Sequence, residues 1–120
     1  MSAKNPMNEW TIFHNPRCIT SRNALALLRS KGVEPQVVDY LKHPPGEREL
    51  KRVIKLLGIP ASGLLRRRER LFKDLKLEGA GDGKAVAAML EHPVLIERPV
   101  VIRSGRAVLA RPPEKLLELL

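Results

Sequence analysis

Short apolar runs and one amphipathic stretch alternate along the first 40 residues. Residues 10–14 form an apolar run that is typical of a strand. Residues 23–31 follow with leucines spaced three apart, which predicts an amphipathic helix, and Gly32 is a helix stop signal. Residues 36–40 again have the composition of a strand. The pattern predicts a βαβ unit, in which the two strands are parallel and the crossover is right-handed.

The middle of the chain has helical periodicity and no convincing strand. The clearest helix has apolar residues at positions i, i+3, i+4 and i+7, and Gly58 ends it. Asp82 is a residue type that caps helices, and it is expected to open the last helix of this region. Helical segments are predicted at residues 47–57, 60–65, 69–76 and 82–92. Residues from about 46 to 92 are therefore predicted to form a helical block.

Strand signals return near the C-terminus. Residues 100–103 and 106–110 flank a Ser-Gly pair at 104–105, which predicts a hairpin whose glycine supplies the positive φ of the turn. A Pro-Pro pair then opens a helix over residues 114–120. The predicted apolar face of that helix consists of Leu116, Leu117 and Leu120.

These elements predict a single α/β domain. With 120 residues, the chain is long enough for one core but not for two. The order βαβ, helical block, ββα is assembled most simply as a four-stranded mixed sheet. The sheet is expected to come from two segments, at about residues 11–42 and 97–120. The all-helical block is inserted between these two segments. Residues 1–9 are polar, lack the apolar core of a signal peptide and are expected to form a loose tail.

Composition indicates a compartment and argues against two classes of partner. The single cysteine rules out an internal disulfide and fits a reducing compartment, so the expected location is cytoplasmic. No apolar run approaches the roughly 18 residues that a membrane span needs. The net charge is +9, from 22 Lys and Arg against 13 Asp and Glu. These basic residues are interleaved with acidic ones and only 3% of residues are aromatic, which argues against nucleic-acid binding.

The candidate chemistry centres on Cys18, which follows the first predicted strand. Thr20 and Ser21 are capping residue types, so Cys18 is expected at or just before a helix N-terminus. Backbone N–H groups and the helix dipole favour a thiolate there and can hold an oxyanion. Further positive charge is expected from His14, Arg17 and Arg22. Cys18 is therefore a candidate nucleophile, and the alternative is an inert buried thiol.

Four stretches carry a resemblance to a known family. Residues 14–22 (HNPRCITSR) resemble the active-site stretch of the glutaredoxin-coupled arsenate reductases, which have a thioredoxin-like fold. Residues 64–66 (LLR), 92–101 (HPVLIERPVV) and 110–114 (ARPPE) resemble later blocks of the same family. The resemblance extends from about residue 11 to residue 120 and implies an arsenate reductase-like oxidoreductase.

The resemblance implies roles for individual residues. Cys18 is the implied nucleophile, and His14 is implied to help lower its pKa. The three arginines that match the family's oxyanion-binding arginines are Arg66, Arg98 and Arg111. The implied supporting residues are Asn15, Thr20, Ser21, Arg22 and Pro99, the last of which matches a cis-proline beside the active site. Guanidinium groups suit the binding role because they stay charged and present several planar donors.

Regeneration of the nucleophile needs a second thiol that the chain does not contain. An outside thiol must therefore resolve the adduct on Cys18 by exchange. The family implies glutathione as co-substrate and glutaredoxin as partner, with no tightly bound cofactor and no metal. His43 and His92 stand beside prolines and are expected to be structural.

Two departures from the family leave alternatives open, and one of them is that Arg17 replaces a smaller residue. Ile19 follows Cys18 where arsenate reductases usually have glycine, and its branched side chain is expected to narrow the pocket. The substrate could then be another oxyanion. A second possibility is a regulator of the Spx type, which binds RNA polymerase, although position 21 is serine where many of these regulators have a second cysteine. A third is a glutathione-dependent thiol-transfer protein without arsenate activity.

Overall fold

The protein is described by a computed structural model that covers residues 9–120. The chain divides into two compact units. The first consists of residues 9–40 together with Arg98–Leu120, and the second is Leu41–Glu97. Apart from Glu9, the predicted N-terminal tail lies outside the described residues.

The first unit is built on a four-stranded mixed sheet with the strand order β2-β1-β3-β4. β1 is parallel to β2 and antiparallel to β3, which is in turn antiparallel to β4. The strands are β1 (Trp10–His14), β2 (Gln36–Asp39), β3 (Val100–Arg103) and β4 (Arg106–Leu109). The predicted βαβ unit and C-terminal hairpin are thus confirmed. β1 lies inside the sheet, in agreement with its mostly buried side chains.

The core of the first unit lies between the sheet, helix α1 (Ile19–Ser30) and a C-terminal 3₁₀-helix (Pro113–Leu119). The two helices pack against each other as well as against the strands. The buried residues that form this core are Trp10, Ile12, Ala24, Leu28, Val101, Ala110, Leu116 and Leu119. This packing fixes the position of α1, and so of the residues that precede it.

Helix α1 begins four residues before the predicted start at residue 23. Its N-cap is Cys18, and no side chain caps it, so Thr20 and Ser21 are not capping residues but lie in its first turn. The polar run at residues 20–23 concealed the helical period. Ser21 in fact continues the buried stripe of Ala24 and Leu28.

The C-terminal 3₁₀-helix differs from the predicted amphipathic helix. Leu116 and Leu119 are buried, whereas Leu117 is 39% exposed and Leu120 is 54% exposed. A 3₁₀-helix has three residues per turn, so side chains at i and i+3 share a face. The predicted apolar face was therefore wrong because it assumed α-helical spacing.

The hairpin turn is also corrected in one respect. The positive φ belongs to Ser104, at 51°, and not to Gly105. Glu9 holds this serine, because the Ser104 N–H donates to the Glu9 carbonyl oxygen at 2.8 Å and its hydroxyl lies 3.3 Å from Glu9 Oε2. These contacts stabilise a conformation that a side chain normally disfavours.

The second unit is helical, as predicted. Its helices are α2 (Glu47–Leu57), α3 (Arg70–Asp74) and α4 (Asp82–Glu91), with short 3₁₀-helices at Ala61–Leu64 and Pro93–Leu95. Gly58 ends α2 in the left-handed conformation, with φ 68°. Asp82 is the first residue of α4 rather than its cap, and its Oδ1 accepts the Ala61 N–H at 3.1 Å. Over residues 9–120, no helix has both the length and the apolar character that a membrane crossing requires.

Candidate active site

Three chain segments meet at one edge of the sheet in the first unit. Phe13 pairs with Val100, and Val100 pairs with Leu109, so the end of β1, the start of β3 and the end of β4 are neighbours. Cys18 follows β1, Arg98 precedes β3, and Arg111 follows β4. The antiparallel pairing therefore brings residues that are far apart in sequence to one place.

Cys18 is the N-cap of α1, with an extended backbone at φ −95° and ψ 122°. Its N–H donates to the Asn15 carbonyl oxygen at 3.0 Å, and its own carbonyl oxygen accepts the Arg22 N–H at 2.9 Å. The side chain is partly exposed. The expected position at a helix N-terminus is confirmed, and the residue is partly exposed rather than sealed in the core.

Two of the three predicted arginines lie beside this sulfur. Arg111 Nη1 is 3.9 Å from Cys18 Sγ, and the same nitrogen donates to the Arg98 carbonyl oxygen at 2.8 Å. The Arg98 side chain is also a hydrogen-bonding neighbour of Cys18. Arg98 is 9% exposed, which is unusual for an arginine. Both arginines were predicted to reach Cys18 from the ends of the hairpin, and this position of their side chains is confirmed.

These neighbours lower the pKa of Cys18. Partial burial acts to raise the pKa of the thiol, because it disfavours the charged form. The backbone N–H of Ser21 and the side chains of Arg98 and Arg111 outweigh burial and lower the pKa to about 7. A thiol with that pKa is about half ionised at neutral pH. The site therefore holds a partly ionised thiol next to fixed positive charge.

His14 differs from the expected cationic neighbour of the thiolate. Its Nδ1 lies 2.7 Å from Ser21 Oγ, and the residue is 7% exposed. Burial lowers the pKa of His14, and the nearby Asp39 carboxylate only partly opposes that effect. A neutral imidazole cannot stabilise a thiolate by charge. The contacts of His14 instead give it a part in placing Ser21.

Ser21, which the resemblance implied only as a supporting residue, has a central place in the site. Its hydroxyl contacts His14 and accepts the Asn15 N–H at 3.0 Å, while its own N–H faces the Cys18 sulfur. It thereby ties the end of β1 to the first turn of α1. Its spacing from Ala24 and Leu28 was the available signal, because it puts Ser21 on the buried face of the helix.

The remaining residues of this loop brace one another. Asn15 Oδ1 accepts the Arg17 N–H at 2.9 Å, which closes a tight turn before the cysteine. Arg22 Nη1 donates to the Pro16 carbonyl oxygen at 3.0 Å and so links α1 to the same turn. Thr20 is half-buried in the first turn of α1. Asn15 and Arg22 thus have contacts that suit supporting residues.

Each arginine beside the thiol precedes a cis-proline. The Arg98–Pro99 peptide bond is cis, as the resemblance implied, and the Pro99 carbonyl oxygen accepts the Ala110 N–H at 2.9 Å. The Arg111–Pro112 bond is also cis, which the sequence did not lead us to expect.

The third predicted arginine, Arg66, belongs to the second unit. Its Nη1 lies 2.7 Å from Glu97 Oε1 and its Nε lies 3.3 Å from Glu69 Oε2. Only 14% of its side chain is exposed, whereas Arg67 next to it is 59% exposed and paired with Glu78. Arg66 is therefore distinct from the solvated charges that follow it. Its role in oxyanion binding stays a prediction.

The effect of Ile19 on the pocket stays a prediction. The residue follows the N-cap and is 64% exposed. Within the described part of the chain, no group of three or more His, Cys, Asp or Glu side chains is arranged to hold a metal ion.

Comparison with known proteins identifies the family. Residues 13–119 match the model of the ArsC family. An arsenate reductase of Rhizobium meliloti is 44% identical over 112 residues, which are 92% of this chain and 80% of that protein. The uncharacterized protein YfgD of Escherichia coli is 43% identical over 111 residues, or 90% and 93% of the two chains. The solved structure of an arsenate reductase from Vibrio cholerae superimposes with a TM-score of 0.89 at 46% identity, covering 92% of this chain and 97% of that one. The fold is the thioredoxin-like fold of these enzymes, and the chain belongs to the ArsC family.

Proposed function

We propose that this protein is an arsenate reductase in which Cys18 is the nucleophile and an external thiol supplies the remaining reducing power. The observation that carries the proposal is the environment of Cys18, whose pKa is lowered to about 7 beside Arg98 and Arg111. The relatives named arsenate reductases, from Rhizobium meliloti and Vibrio cholerae, support arsenate as the substrate.

Arsenate would be held by charge and by hydrogen bonds. It is a tetrahedral oxyanion, and its oxygens suit guanidinium groups and the N–H groups of a first helical turn. Arg98 and Arg111 lie beside the sulfur that must approach the arsenic atom. Because Arg111 Nη1 also donates to a backbone carbonyl, its guanidinium is already oriented before substrate binds.

The reaction transfers two electrons from two thiols. The Cys18 thiolate attacks arsenic, a sulfur–arsenic bond forms, and an arsenate oxygen leaves as water after taking up protons. A glutathione thiol then attacks the Cys18 sulfur, so that the sulfur–arsenic bond breaks and its electron pair stays on arsenic. The products are arsenite, water and a disulfide between Cys18 and glutathione, which accounts for the two electrons that arsenic gains.

Glutaredoxin would then regenerate the enzyme. Its thiolate attacks the mixed disulfide and releases the Cys18 thiolate, which is a good leaving group because its pKa is low. The chain contains one cysteine and cannot perform this step alone. Since the chemistry draws on a reduced glutathione pool, we propose that the protein acts in the cytoplasm.

The direct test is arsenite formation by the purified protein with arsenate, glutathione and glutaredoxin. The wild-type chain should reduce arsenate, and Cys18→Ser should fall to the background rate. Ser30→Ala, at an exposed position on the same helix, is the matched control and should retain wild-type activity. Full activity in Cys18→Ser would show that the proposed mechanism is wrong. A wild-type chain that exchanges a small glutathionylated disulfide but forms no arsenite would indicate thiol transfer instead.

A further inference from the structure

Four exposed residues lie within four positions of the partly exposed Cys18 in the chain, and we refer to them as the rim: Pro16, Arg17, Ile19 and Arg22. We propose that the rim is a docking surface for a protein thiol reductant, with Ile19 as its apolar contact. The reductant that fits has acidic and apolar residues next to its reactive cysteine. The inference rests on the proposed function, because it concerns the partner that regenerates Cys18.

Ile19 is the exposed large apolar residue of the rim. It is the first residue of α1 and follows the N-cap cysteine directly. At 64%, it is the most exposed large apolar side chain among residues 9–120. The buried stripe of α1 contains Ser21, Ala24 and Leu28, so Ile19 contributes nothing to that core contact. An isoleucine left in water beside a nucleophile is available to be covered by a partner.

The charge of the rim indicates an acidic partner. Residues 10–33 contain four Lys and Arg and no Asp or Glu. Arg17 and Arg22 are exposed, and the hydrogen bond from Arg22 Nη1 to the Pro16 carbonyl oxygen keeps that guanidinium at the turn. A surface whose charges all have one sign accelerates association with a partner of opposite charge, and salt weakens that effect.

The exchange reaction itself brings the rim into contact with a protein partner. The partner's thiolate attacks the glutathione sulfur of the Cys18 mixed disulfide, a new sulfur–sulfur bond forms, and the Cys18 thiolate leaves. The three sulfur atoms then span about 4 to 5 Å, so the surface that carries the attacking sulfur lies against the residues bordering Cys18. A small thiol reaches the same disulfide without covering Ile19. The rim therefore matters for a protein reductant and not for a small one.

The test uses the mixed disulfide of the full chain, prepared with oxidised glutathione and without arsenate. Release of Cys18 is followed with reduced glutaredoxin and, separately, with dithiothreitol. With glutaredoxin, Ile19→Ser should lower the rate constant for release of Cys18 about tenfold. With dithiothreitol, the rate constant of this variant should stay within about twofold of the wild-type value. Ile19→Leu should keep the wild-type rate with glutaredoxin. Arg17→Gln should lower the glutaredoxin rate at low salt and flatten its salt dependence.

Leu120→Ser is the matched control. Leu120 is 54% exposed, and its neighbour Leu119 accepts a hydrogen bond from Arg103, at the end of the sheet opposite Cys18. This substitution should change neither rate. The proposal is overturned if Ile19→Ser reacts like the wild-type chain with both reductants, if it slows both equally, or if Leu120→Ser has the same effect. Because arsenate is absent, a failure to reduce arsenate would contradict the proposed function and leave this result standing.

Discussion

Arg111 Nη1 lies 3.9 Å from Cys18 Sγ although 93 residues separate the two in sequence. The contact exists because β1, β3 and β4 are adjacent, so the chain segments after β1 and after β4 meet at one edge of the sheet. The fold thus brings a positively charged side chain from a distant chain segment next to the thiol.

Ser21 should be needed to hold the loop that carries Cys18. Ser21→Ala removes the acceptor of the buried Asn15 N–H and the partner of His14 Nδ1. Leaving such groups unpaired should lower the free energy of unfolding by about 1 to 3 kcal/mol, measured by urea denaturation. Ser30→Ala, at an exposed position of the same helix, should cost no more than about 0.5 kcal/mol. Equal effects of the two substitutions would contradict the role given to Ser21.

His14 should be neutral at pH 7. Burial lowers its pKa, so an NMR titration should show the imidazole titrating below the ordinary histidine range. The unfolded chain then binds more protons than the folded one as the pH falls through that range. The free energy of unfolding should therefore decrease as the pH falls. His14→Gln should make this pH dependence smaller. A His14 pKa above the ordinary histidine value would restore the cationic role that the sequence implied.

In the C-terminal 3₁₀-helix, the substitutions that destabilise the protein most should be spaced three residues apart. Leu119→Ala empties a buried position and should lower the free energy of unfolding by about 2 to 5 kcal/mol. Leu117→Ala, at a residue that is 39% exposed, should cost no more than about 0.5 kcal/mol. Thermal or urea denaturation compares the two variants. A larger loss for Leu117→Ala would indicate the α-helical face that the sequence pattern predicted.

Much of the fold was predictable because it follows from local patterns. The strand at Trp10–His14, the helix at Glu47–Leu57 and the hairpin each have a clear period or turn signal. The predictions were wrong where the conformation did not follow the local sequence preference. Glu9 holds Ser104 at positive φ, and residues 20–23 lie in a helix despite their polar character.

The site was predictable in its residues and less so in its contacts. Sequence motifs singled out Cys18, Arg98 and Arg111, and antiparallel pairing of the hairpin explains why these residues meet. The contact between His14 and Ser21 depends on how α1 packs against β1, which no sequence period reports. Burial of His14 follows from the same packing, and it disfavours the positive charge that was expected.

The central claim is that Cys18 is an ionised nucleophile stabilised by two arginines, and its pKa tests that claim most directly. The measurement is the rate of iodoacetamide alkylation against pH in the wild-type chain, Arg98→Gln and Arg111→Gln, with Arg106→Gln, an exposed residue, as control. We expect a pKa of about 7 in the wild-type chain and in the control. Because the thiol then loses a positive neighbour, we expect a rise of about 1 to 2 pKa units in each of the other two variants. A wild-type pKa near the free thiol value of about 8.5 that neither substitution changes would contradict the account.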